Sequence, residues 1–482
     1  MRRAPTRVAA AAMVVAALGA VPGAAHAYGP ALQTAISENA PSGSDGPLAF
    51  ARTHAAGAGF VRIGLEWNSV VTDSASRPPG FDAANPKDPA YYWRGFDRQI
   101  QLAAAARLQP IVVVDAAPLW AEGAGGGSDG IFSPDPVEFG LFMHAAAMHY
   151  SGKTPGVPPV RYWAAWNEPN LSYFLAPQFV NGQLVSVDRY RELVNAAAAA
   201  VHSVDPTDKL IAGELFPFTS YGHGFDATGA LTFTRMLFCL SAGAHPQRTC
   251  NATVHADIWS DHPYTVGGPM HHALNPGKDV SLGDLPALHT LVQLAQRGGE
   301  LQSAGPVPLW ITEFAWDTNP PNPKGVPVAL HAEWTAEAIF QAWRSGVSLF
   351  TWFSLRDKPL NSSPSQSGLY YRCDRSLACD RPKPTLAAFR FPFVAFRHSY
   401  GVLVWGRTPG GAPGTVRIER SHGRGWRPLA LLHTDADGIF TAHIGVHISG
   451  SMRALVVHGH GGASPAFPLK LPPDLPYSPL GS

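Results

Sequence analysis

Two glutamates in this sequence have neighbours that suit acid–base chemistry. Glu168 follows an apolar run and lies between Asn167 and Pro169, and Glu313 directly follows the apolar run 307–312. A carboxyl group is seldom buried unless it is paired, so its place at the end of an apolar run calls for a chemical reason. Two carboxyl groups that face each other are the minimal equipment for cleaving a glycosidic bond, because one protonates the leaving oxygen and the other attacks or activates water.

The elements that carry these glutamates repeat in a regular order. Short apolar runs typical of buried strands alternate with stretches of helical periodicity, and this alternation predicts a parallel sheet. The runs are 32–37, 60–65, 110–115, 160–166, 210–213, 256–260, 308–312 and 347–353. Eight such units predict an α/β protein built on a (β/α)8 barrel, whose strand tips open into the active site. On the fourth and seventh strands, Glu168 and Glu313 would face each other across the barrel mouth.

The rival architecture is an open, doubly wound sheet. That fold offers a Gly-rich phosphate turn after its first strand. The sequence has Ser37-Glu38-Asn39-Ala40 at this position, so the barrel is favoured.

The character of the sequence changes after residue 398. The segments 415–419, 428–432, 439–444 and 453–458 are short, partly alternating and separated by Gly, Asp and Pro turns, which predicts a small antiparallel β-domain. The predicted organisation is a signal peptide over 1–27, the catalytic barrel over 28–398, the C-terminal β-domain over 399–463 and a Pro-rich tail over 464–482. A brace for the barrel is the favoured role of the β-domain.

The N-terminus predicts export. A basic start is followed by an apolar run and by Ala25-His26-Ala27, a small-residue pattern that indicates cleavage after Ala27. A membrane anchor needs about 20 apolar residues, and Pro22 breaks this run soon after Leu18. We therefore expect a secreted, extracellular protein without a membrane span in its mature form.

The four cysteines fit an oxidising compartment. They fall into two close pairs, Cys239 with Cys250 and Cys373 with Cys379, and both are expected to be disulfides. Cys373 and Cys379 would be metal ligands in the alternative interpretation, but no partner pair at zinc-ligand spacing accompanies them. No metal and no cofactor is expected.

Composition and charge exclude some partners. The chain is 45% hydrophobic, only 15% charged, and carries a formal net charge of +1. No basic footprint for nucleic acid or for an anionic membrane is present. A neutral oligo- or polysaccharide fits better, and the oligomeric state is left open.

Two motifs resemble a known group of enzymes. The stretches Trp166-Asn167-Glu168-Pro169 and Trp310-Ile311-Thr312-Glu313-Phe314 resemble the acid/base and nucleophile motifs of clan A retaining glycoside hydrolases, most similar to families 39 and 5. The likeness spans essentially the whole barrel. It implies that Glu168 is the proton donor and later the base, and that Glu313 forms the glycosyl-enzyme.

The same resemblance suggests substrate-binding residues around the pair. Arg62 is similar to the clan's second-strand arginine, which would hold the nucleophile ionised. Asn167 would bind the sugar 2-hydroxyl. His262 and Tyr264, in the sequence His262-Pro263-Tyr264, resemble the clan's His and Tyr near the two carboxylates.

Two tryptophans are candidates for stacking on a sugar. Trp352 on the eighth strand resembles the clan's sugar-stacking aromatic, and Trp120 after the third strand resembles a family 39 position. Aromatic faces suit the apolar C–H faces of sugars. Packing within the barrel is the alternative for both.

Three further acids lie at predicted strand tips, namely Glu66, Asp115 and Glu214. Glu214 is the most serious rival for a catalytic role. We expect it instead to accept a hydrogen bond from a substrate hydroxyl or to pair with a nearby basic side chain.

The resemblance implies a secreted glycoside hydrolase that cleaves oligo- or polysaccharides by a retaining double displacement. A transglycosylase with the same covalent intermediate and a catalytically silent carbohydrate-binding barrel are the alternatives. β-Glucosides, β-xylosides and α-L-arabinosides all fit the family likeness, with exo or endo action alike.

Overall fold

The structure is a computed structural model that describes residues 31–37, 43–127, 130–222, 225–360, 365–458 and 461–471. The predicted signal peptide lies outside these described residues, as does the predicted tail beyond residue 471. Within the described residues, no helix is both long enough and apolar enough to cross a membrane.

Eight parallel strands close into a barrel, which confirms the predicted fold class. The strands are β1 (Gln33–Ser37), β2 (Phe60–Glu66), β3 (Gln109–Asp115), β4 (Tyr162–Ala165), β5 (Lys209–Leu215), β6 (Ile258–Asp261), β7 (Leu309–Ile311) and β8 (Val347–Phe353). Each strand pairs with its neighbours in the sequence, and β1 pairs with β8 to close the ring. All eight predicted runs therefore form the barrel strands.

Helices surround the barrel. They are α1 (Gly46–Ala55), α2 (Arg94–Ala105), α3 (Pro136–His149), α4 (Ser186–Val204), α5 (Ala230–Leu237), α6 (Leu285–Gly298), α7 (Val328–Arg344) and α8 (Pro384–Arg390). Short two-residue strands pair in the loops: Phe179–Val180 with Gln183–Leu184, Val254–His255 with Leu301–Gln302, Thr318–Asn319 with Val326–Pro327, and Tyr370–Tyr371 with Arg381–Pro382.

Local sequence signals set the helix ends. Asp135 caps α3, because its carboxylate accepts hydrogen bonds from the backbone N–H groups of Val137 and Glu138. Pro136 follows at the first helical position, where its missing N–H costs nothing. α6 ends at Gly299, which adopts the left-handed conformation with φ 83°.

Side-chain alternation divides the core into two layers. One apolar cluster fills the inside of the barrel, and a much larger one joins the outer strand faces to the helices. The inner cluster consists of Ala35, Phe60, Ile111, Val113, Ala164, Ile211, Ile258, Trp310 and Leu349. Since inward residues recur at every second position, the phase fixed by this cluster decides which residues reach the barrel mouth.

The C-terminal part forms two small antiparallel sheets, in agreement with the predicted β-domain. Its strands are β9 (Phe393–His398), β10 (Gly401–Arg407), β11 (Thr415–His422), β12 (Gly425–His433), β13 (Ile439–Ile444), β14 (Ser451–Val456) and β15 (Phe467–Pro468). One sheet has the order β9-β10-β13 and the other β12-β11-β14-β15.

The edges of this domain differ from the predicted boundaries of 399 and 463. β9 falls within the predicted barrel and β10 lies in none of the predicted strand segments, but the two pair with each other in the first sheet. β15, within the predicted tail, pairs with β14 and buries Phe467. The sequence signals were weak because β9 is buried on both faces over Phe393–Phe396, so it lacks the alternation of a half-exposed strand.

Both expected disulfides are present. Cys239 bonds Cys250 with 5.1 Å between their Cα atoms, and Cys373 bonds Cys379 with 5.7 Å. Each closes a short loop, so both act as local staples.

Candidate active site

Glu168 and Glu313 meet in one cavity at the carboxyl end of the barrel strands. The cavity has a volume of about 660 Å³, and both glutamates line it. One carboxylate oxygen of Glu168 lies within 4.8 Å of one of Glu313. Their side chains are 11% and 13% exposed, so each carboxylate is largely shielded from water but open to the cavity.

The backbone after β4 takes an unusual course to present Glu168. Trp166 and Glu168 have φ values of 68° and 41°, a left-handed conformation that costs about 1–3 kcal/mol for such residues. Two hydrogen bonds hold this turn: the Trp166 indole donates to the Phe174 carbonyl at 2.7 Å, and the Glu168 amide donates to the Glu214 carbonyl at 2.8 Å. The strain is therefore compensated by tertiary contacts.

Arg62 joins the catalytic candidates to a buried carboxylate. It extends from the middle of β2 into the barrel and is 5% exposed. Its Nη1 donates to Glu313 Oε1 at 2.6 Å and its Nη2 donates to Asn167 Oδ1 at 2.7 Å. Nε and Nη2 both donate to Glu214 Oε2, at 3.0 and 2.6 Å. All three guanidinium nitrogens are thus engaged, and the amide NH₂ of Asn167 is the group left to donate.

Glu214 reaches this position through an irregularity in β5. The register between β5 and β6 shifts between Ala212 and Leu215. Gly213 has φ 105°, and a Cβ there would lie 2.0 Å from the Ser260 carbonyl oxygen, so the bulge requires glycine. The bulge turns the Glu214 carboxylate toward Ser260, whose hydroxyl donates to Oε1 at 2.8 Å. Glu214 is the partner of a basic side chain, as expected.

The loop after β6 supplies one group for each catalytic candidate. His262 is fully buried; its Nδ1 lies 3.0 Å from Glu168 Oε1, and its Nε2 lies 3.6 Å from Glu214 Oε2. The Tyr264 hydroxyl donates to Glu313 Oε2 at 2.9 Å. Both oxygens of Glu313 therefore accept a hydrogen bond, one from Tyr264 and one from Arg62.

Electrostatics favour the protonated form of Glu168. Burial raises its pKa most strongly, and the nearby charge of Glu313 raises it further, while His262 and Arg62 act in the opposite direction. The net effect is a raised pKa. This is the requirement for a group that must carry a proton when substrate arrives.

The groups beneath the pair are charged. Burial alone would lower the pKa of His262, but Glu313, Glu168 and Glu214 raise it to about 10. Burial alone would raise the pKa of Glu214, but Arg62 and His262 hold it well below its usual range. At neutral pH, His262 is therefore a cation and Glu214 an anion.

A metal ion is an alternative occupant by distance alone. Glu168, His262 and Glu313 offer ligand atoms within 4.8 Å of one another. However, Arg62 and Tyr264 already donate to both oxygens of Glu313, and a protonated His262 has no lone pair to give. The donor set fits proton transfer better than metal binding.

The two predicted sugar-stacking tryptophans lie elsewhere. Trp352 is fully buried against the helices, where its indole donates to the Ser367 carbonyl at 2.8 Å. Trp120 packs edge-on against Trp67 and Phe81, outside the residues that line the cavity. The burial of Trp352 leaves no ring face for a ligand, so that expectation is corrected. Trp120 is half-buried and does not line this cavity, and its role in binding stays a prediction.

Comparison with known proteins finds similarity in fold to solved structures but no match in sequence. No family model matches the sequence, and no curated protein matches it. A solved family 39 glycoside hydrolase from Bacteroides cellulosilyticus WH2 superposes with a TM-score of 0.52 at 15% identity, covering 86% of this chain and 81% of that one. The chain has the fold of a family 39 glycoside hydrolase.

Two further solved structures are similar. A family 39 enzyme from Xanthomonas axonopodis pv. citri has a TM-score of 0.49 at 14% identity, covering 86% of this chain and 92% of that one. A monomeric beta-xylosidase from Caulobacter crescentus CB15 has the same TM-score and identity, covering 86% of this chain and 94% of that one.

Other aromatic side chains of this family 39 fold do line the cavity. They are Phe353 at the end of β8, Phe174 after β4 and Tyr92 before α2. Phe353 is not among the residues predicted from the sequence, because it adjoins Trp352 and the two alternate between opposite faces of β8. The alternation was visible in the sequence, but its phase was not, since both faces of the strand are apolar.

Proposed function

We propose that the protein is a secreted retaining glycoside hydrolase that acts on oligo- or polysaccharides, with Glu168 as acid/base and Glu313 as nucleophile. The observation that carries this proposal is the pair of shielded carboxylates with oxygens within 4.8 Å. Retaining enzymes hold their carboxyl groups about 5–5.5 Å apart, whereas inverting enzymes need about 6.5–9.5 Å to admit a water. The family 39 fold supports the same class of reaction.

In the first step, Glu168 donates its proton to the glycosidic oxygen as that oxygen leaves the anomeric carbon. Glu313 attacks the same carbon and forms an ester, so one C–O bond breaks as another forms. Arg62 and Tyr264 hold the two oxygens of Glu313 in place. Both donors direct their hydrogen bonds at the oxygens of Glu313, so they position the carboxylate for attack.

In the second step, water releases the sugar. Esterification removes the negative charge of Glu313, which had helped to raise the pKa of Glu168. The pKa of Glu168 therefore falls, and its carboxylate accepts a proton from the attacking water. Water's oxygen bonds to the anomeric carbon, and Glu313 departs as a carboxylate. The Nδ1 atom of the His262 cation lies 3.0 Å from Glu168 Oε1, so it stabilises the Glu168 carboxylate before the proton from water is accepted.

Export is supported by the basic and apolar N-terminus ending in Ala25-His26-Ala27, and by the two disulfides. N-terminal sequencing of the exported protein is expected to begin at Tyr28. A chain retained in the cell with its first 27 residues would contradict export.

The test of the chemistry compares Glu313→Gln with Glu168→Gln on aryl glycosides whose leaving groups differ in acidity. Glu313→Gln should lose activity on every substrate, by about 10⁴-fold or more, because no nucleophile remains. Glu168→Gln should lose more activity on poor leaving groups than on acidic ones, because only the former need a proton.

Glu192→Gln is the matched control, since Glu192 is an exposed glutamate on α4. Wild-type activity is expected for it. A Glu313→Gln protein that remains active would overturn the assignment of the nucleophile.

A further inference from the structure

Two acidic residues stand side by side at the mouth of the barrel. Glu66 and Asp115 are the last residues of β2 and β3, and they are register partners in the parallel pairing of these strands. Asp115 has the same inward phase as Ile111 and Val113, both members of the inner barrel cluster. Like charges on neighbouring strands are destabilising, so folding alone gives no reason for this pair.

Neither side-chain carboxylate has a hydrogen-bond or ion-pair partner in the part of the chain that the structure describes. No side-chain hydrogen bond or ion pair joins Glu66 or Asp115 to another described residue. Arg62 is the nearby cation, but its three nitrogens are engaged by Glu214, Glu313 and Asn167. The two carboxylates therefore remain available as acceptors for a ligand.

The pair lies where two cavities meet. Glu66, Asp115 and Phe174 line the cavity of about 660 Å³ that contains the catalytic candidates. The same three residues line an adjacent cavity of about 400 Å³, which Tyr173 also borders. A sugar bound next to the catalytic pair would thus place hydroxyl groups against two carboxylates and a C–H face near an aromatic ring.

The charges along this cleft oppose an acidic sugar. Arg62 is the only lysine or arginine among the described residues that line the two cavities, while four carboxylic acids line them. A uronic or sulfated sugar would find no free cation there and would meet like charges at short range in a partly dry site.

We propose that Glu66 and Asp115 are specificity-determining residues that accept hydrogen bonds from hydroxyl groups of a neutral sugar and reject acidic sugars. This inference rests on the proposed function, since it concerns the sugar held at the same cleft. Each carboxylate accepts hydrogen bonds and donates none when ionised, which matches hydroxyl groups and repels a second carboxylate.

The ionisation of Asp115 adds a signature that a purely structural residue would lack. Burial raises its pKa, Arg62 lowers it, and Glu66, Glu214 and Glu313 raise it, to about 7 in all. Rejection of an acidic sugar should therefore strengthen as the pH rises from 6 to 8, because a second negative charge appears at the subsite.

The experiment measures binding of four non-hydrolysable probes by calorimetry. Phenyl thio-β-xyloside and phenyl thio-β-glucoside are neutral, phenyl thio-β-glucuronide is acidic and phenyl thio-β-glucosaminide is cationic. Wild-type protein should bind a neutral probe at least tenfold more tightly than the glucuronide. Asp115→Asn and Glu66→Gln should each weaken neutral-probe binding and reduce this preference by tenfold or so. In Asp115→Asn, the pH dependence of the preference between pH 6 and 8 should become weaker than in the wild type; Glu168, which lines the same cavity and also has a raised pKa, remains in both proteins. Glu192→Gln, on exposed α4, should match the wild type in all respects.

Several outcomes would overturn the proposal. One is tighter binding of the glucuronide than of the neutral probes by the wild type, and another is no binding of either neutral probe. The third is that Asp115→Asn and Glu66→Gln discriminate between neutral probes and the glucuronide as well as the wild type does. Tighter binding of phenyl thio-β-glucosaminide than of the glucoside would show instead that the carboxylates select a cation. Because binding needs no turnover, these results are independent of whether the Glu313→Gln test supports hydrolysis.

Discussion

Glu214 shows how a residue can matter to the site without touching the substrate. It is fully buried beneath Glu168 and Glu313, accepts two hydrogen bonds from Arg62 and lies 3.6 Å from His262. It thereby fixes the guanidinium that holds Glu313 and helps to keep His262 charged. A buried ion pair of this kind is costly to break, because the remaining charges lose their compensation.

Glu214→Gln should lower the free energy of unfolding by about 3–5 kcal/mol near pH 6 and should flatten its pH dependence. In the wild type, the raised pKa of His262 means that its protonated form contributes to the free energy of unfolding. This contribution is complete below pH 6.5 and is lost as the pH rises toward 10. The lowered pKa of Glu214 means that its ionised form also contributes to the free energy of unfolding. This contribution is complete above pH 4.5, the ordinary pKa of a glutamate, and is lost on acidification. A plot of unfolding free energy against pH therefore has an acid limb, from Glu214, and an alkaline limb, from His262. Both limbs should become shallower in the variant, as measured by urea unfolding from pH 3 to 10.

Glu337→Gln provides the control for this prediction. Glu337 is also a buried glutamate, but it pairs with Lys470 far from the cavity. Its variant should lose stability while retaining kcat and the alkaline limb. If Glu214→Gln kept the full alkaline limb of the wild type, Glu214 would have no part in holding the proton of His262.

Among the elements, the loops after β7 and β8 depend on one buried cation. Lys383, just before α8, donates through Nζ to Asp357 at 2.6 Å, to Thr318 at 2.7 Å and to the Gln366 carbonyl at 3.0 Å. These partners belong to loops on the same side of the barrel as the cavity. The Lys383 side chain thus links the loop after β7, the loop after β8 and the start of α8.

Lys383→Met should destabilise the protein by about 3–5 kcal/mol, because Asp357 would be left buried without its partner. Urea unfolding measures the loss. Lys153→Met is the matched control at an exposed lysine, with an expected change within about 0.5 kcal/mol. An equal effect of the two substitutions would show that the buried cation does not hold these loops.

At the scale of the whole molecule, the β-domain and the barrel share a core. Trp405 of β10 is fully buried and packs against Phe340 and Trp343 of α7, with ring centroids 5.4 Å apart in both cases. An ion pair between Lys470 and Glu337 crosses the same boundary. These contacts support the expected bracing role, since the outer face of α7 is covered by the β-domain.

Trp405→Ala should lower the stability of the entire chain by about 3–5 kcal/mol, because it opens a cavity in this shared core. Calorimetry should record one cooperative transition that moves to lower temperature. Trp426→Ala, at a half-buried tryptophan of β12 that Arg453 covers, should cost less. Two separate transitions in the wild type would contradict a shared core.

The sequence identified much of the candidate site because strand order and barrel closure are encoded locally. Apolar runs and helical spacing predicted all eight barrel strands, and barrel closure then brought Glu168, Glu313, His262 and Tyr264 from the strand tips together with Arg62 from within β2. The four residues at strand tips could be recognised one at a time, because each follows an apolar run typical of a buried strand, whereas Arg62 was recognised by its resemblance to the clan's second-strand arginine.

Only the tertiary structure decided which side of a strand faces the cavity. Trp352 and Phe353 are adjacent and equally apolar, and the phase set by the barrel interior sends Trp352 to the helices and Phe353 to the cavity. The bulge at Gly213 decided that Glu214 pairs with Arg62, and strand register decided that Glu66 adjoins Asp115. These facts depend on long-range packing, so the sequence by itself determined the strands and the chemistry they carry, whereas the closed barrel determined which side chains meet.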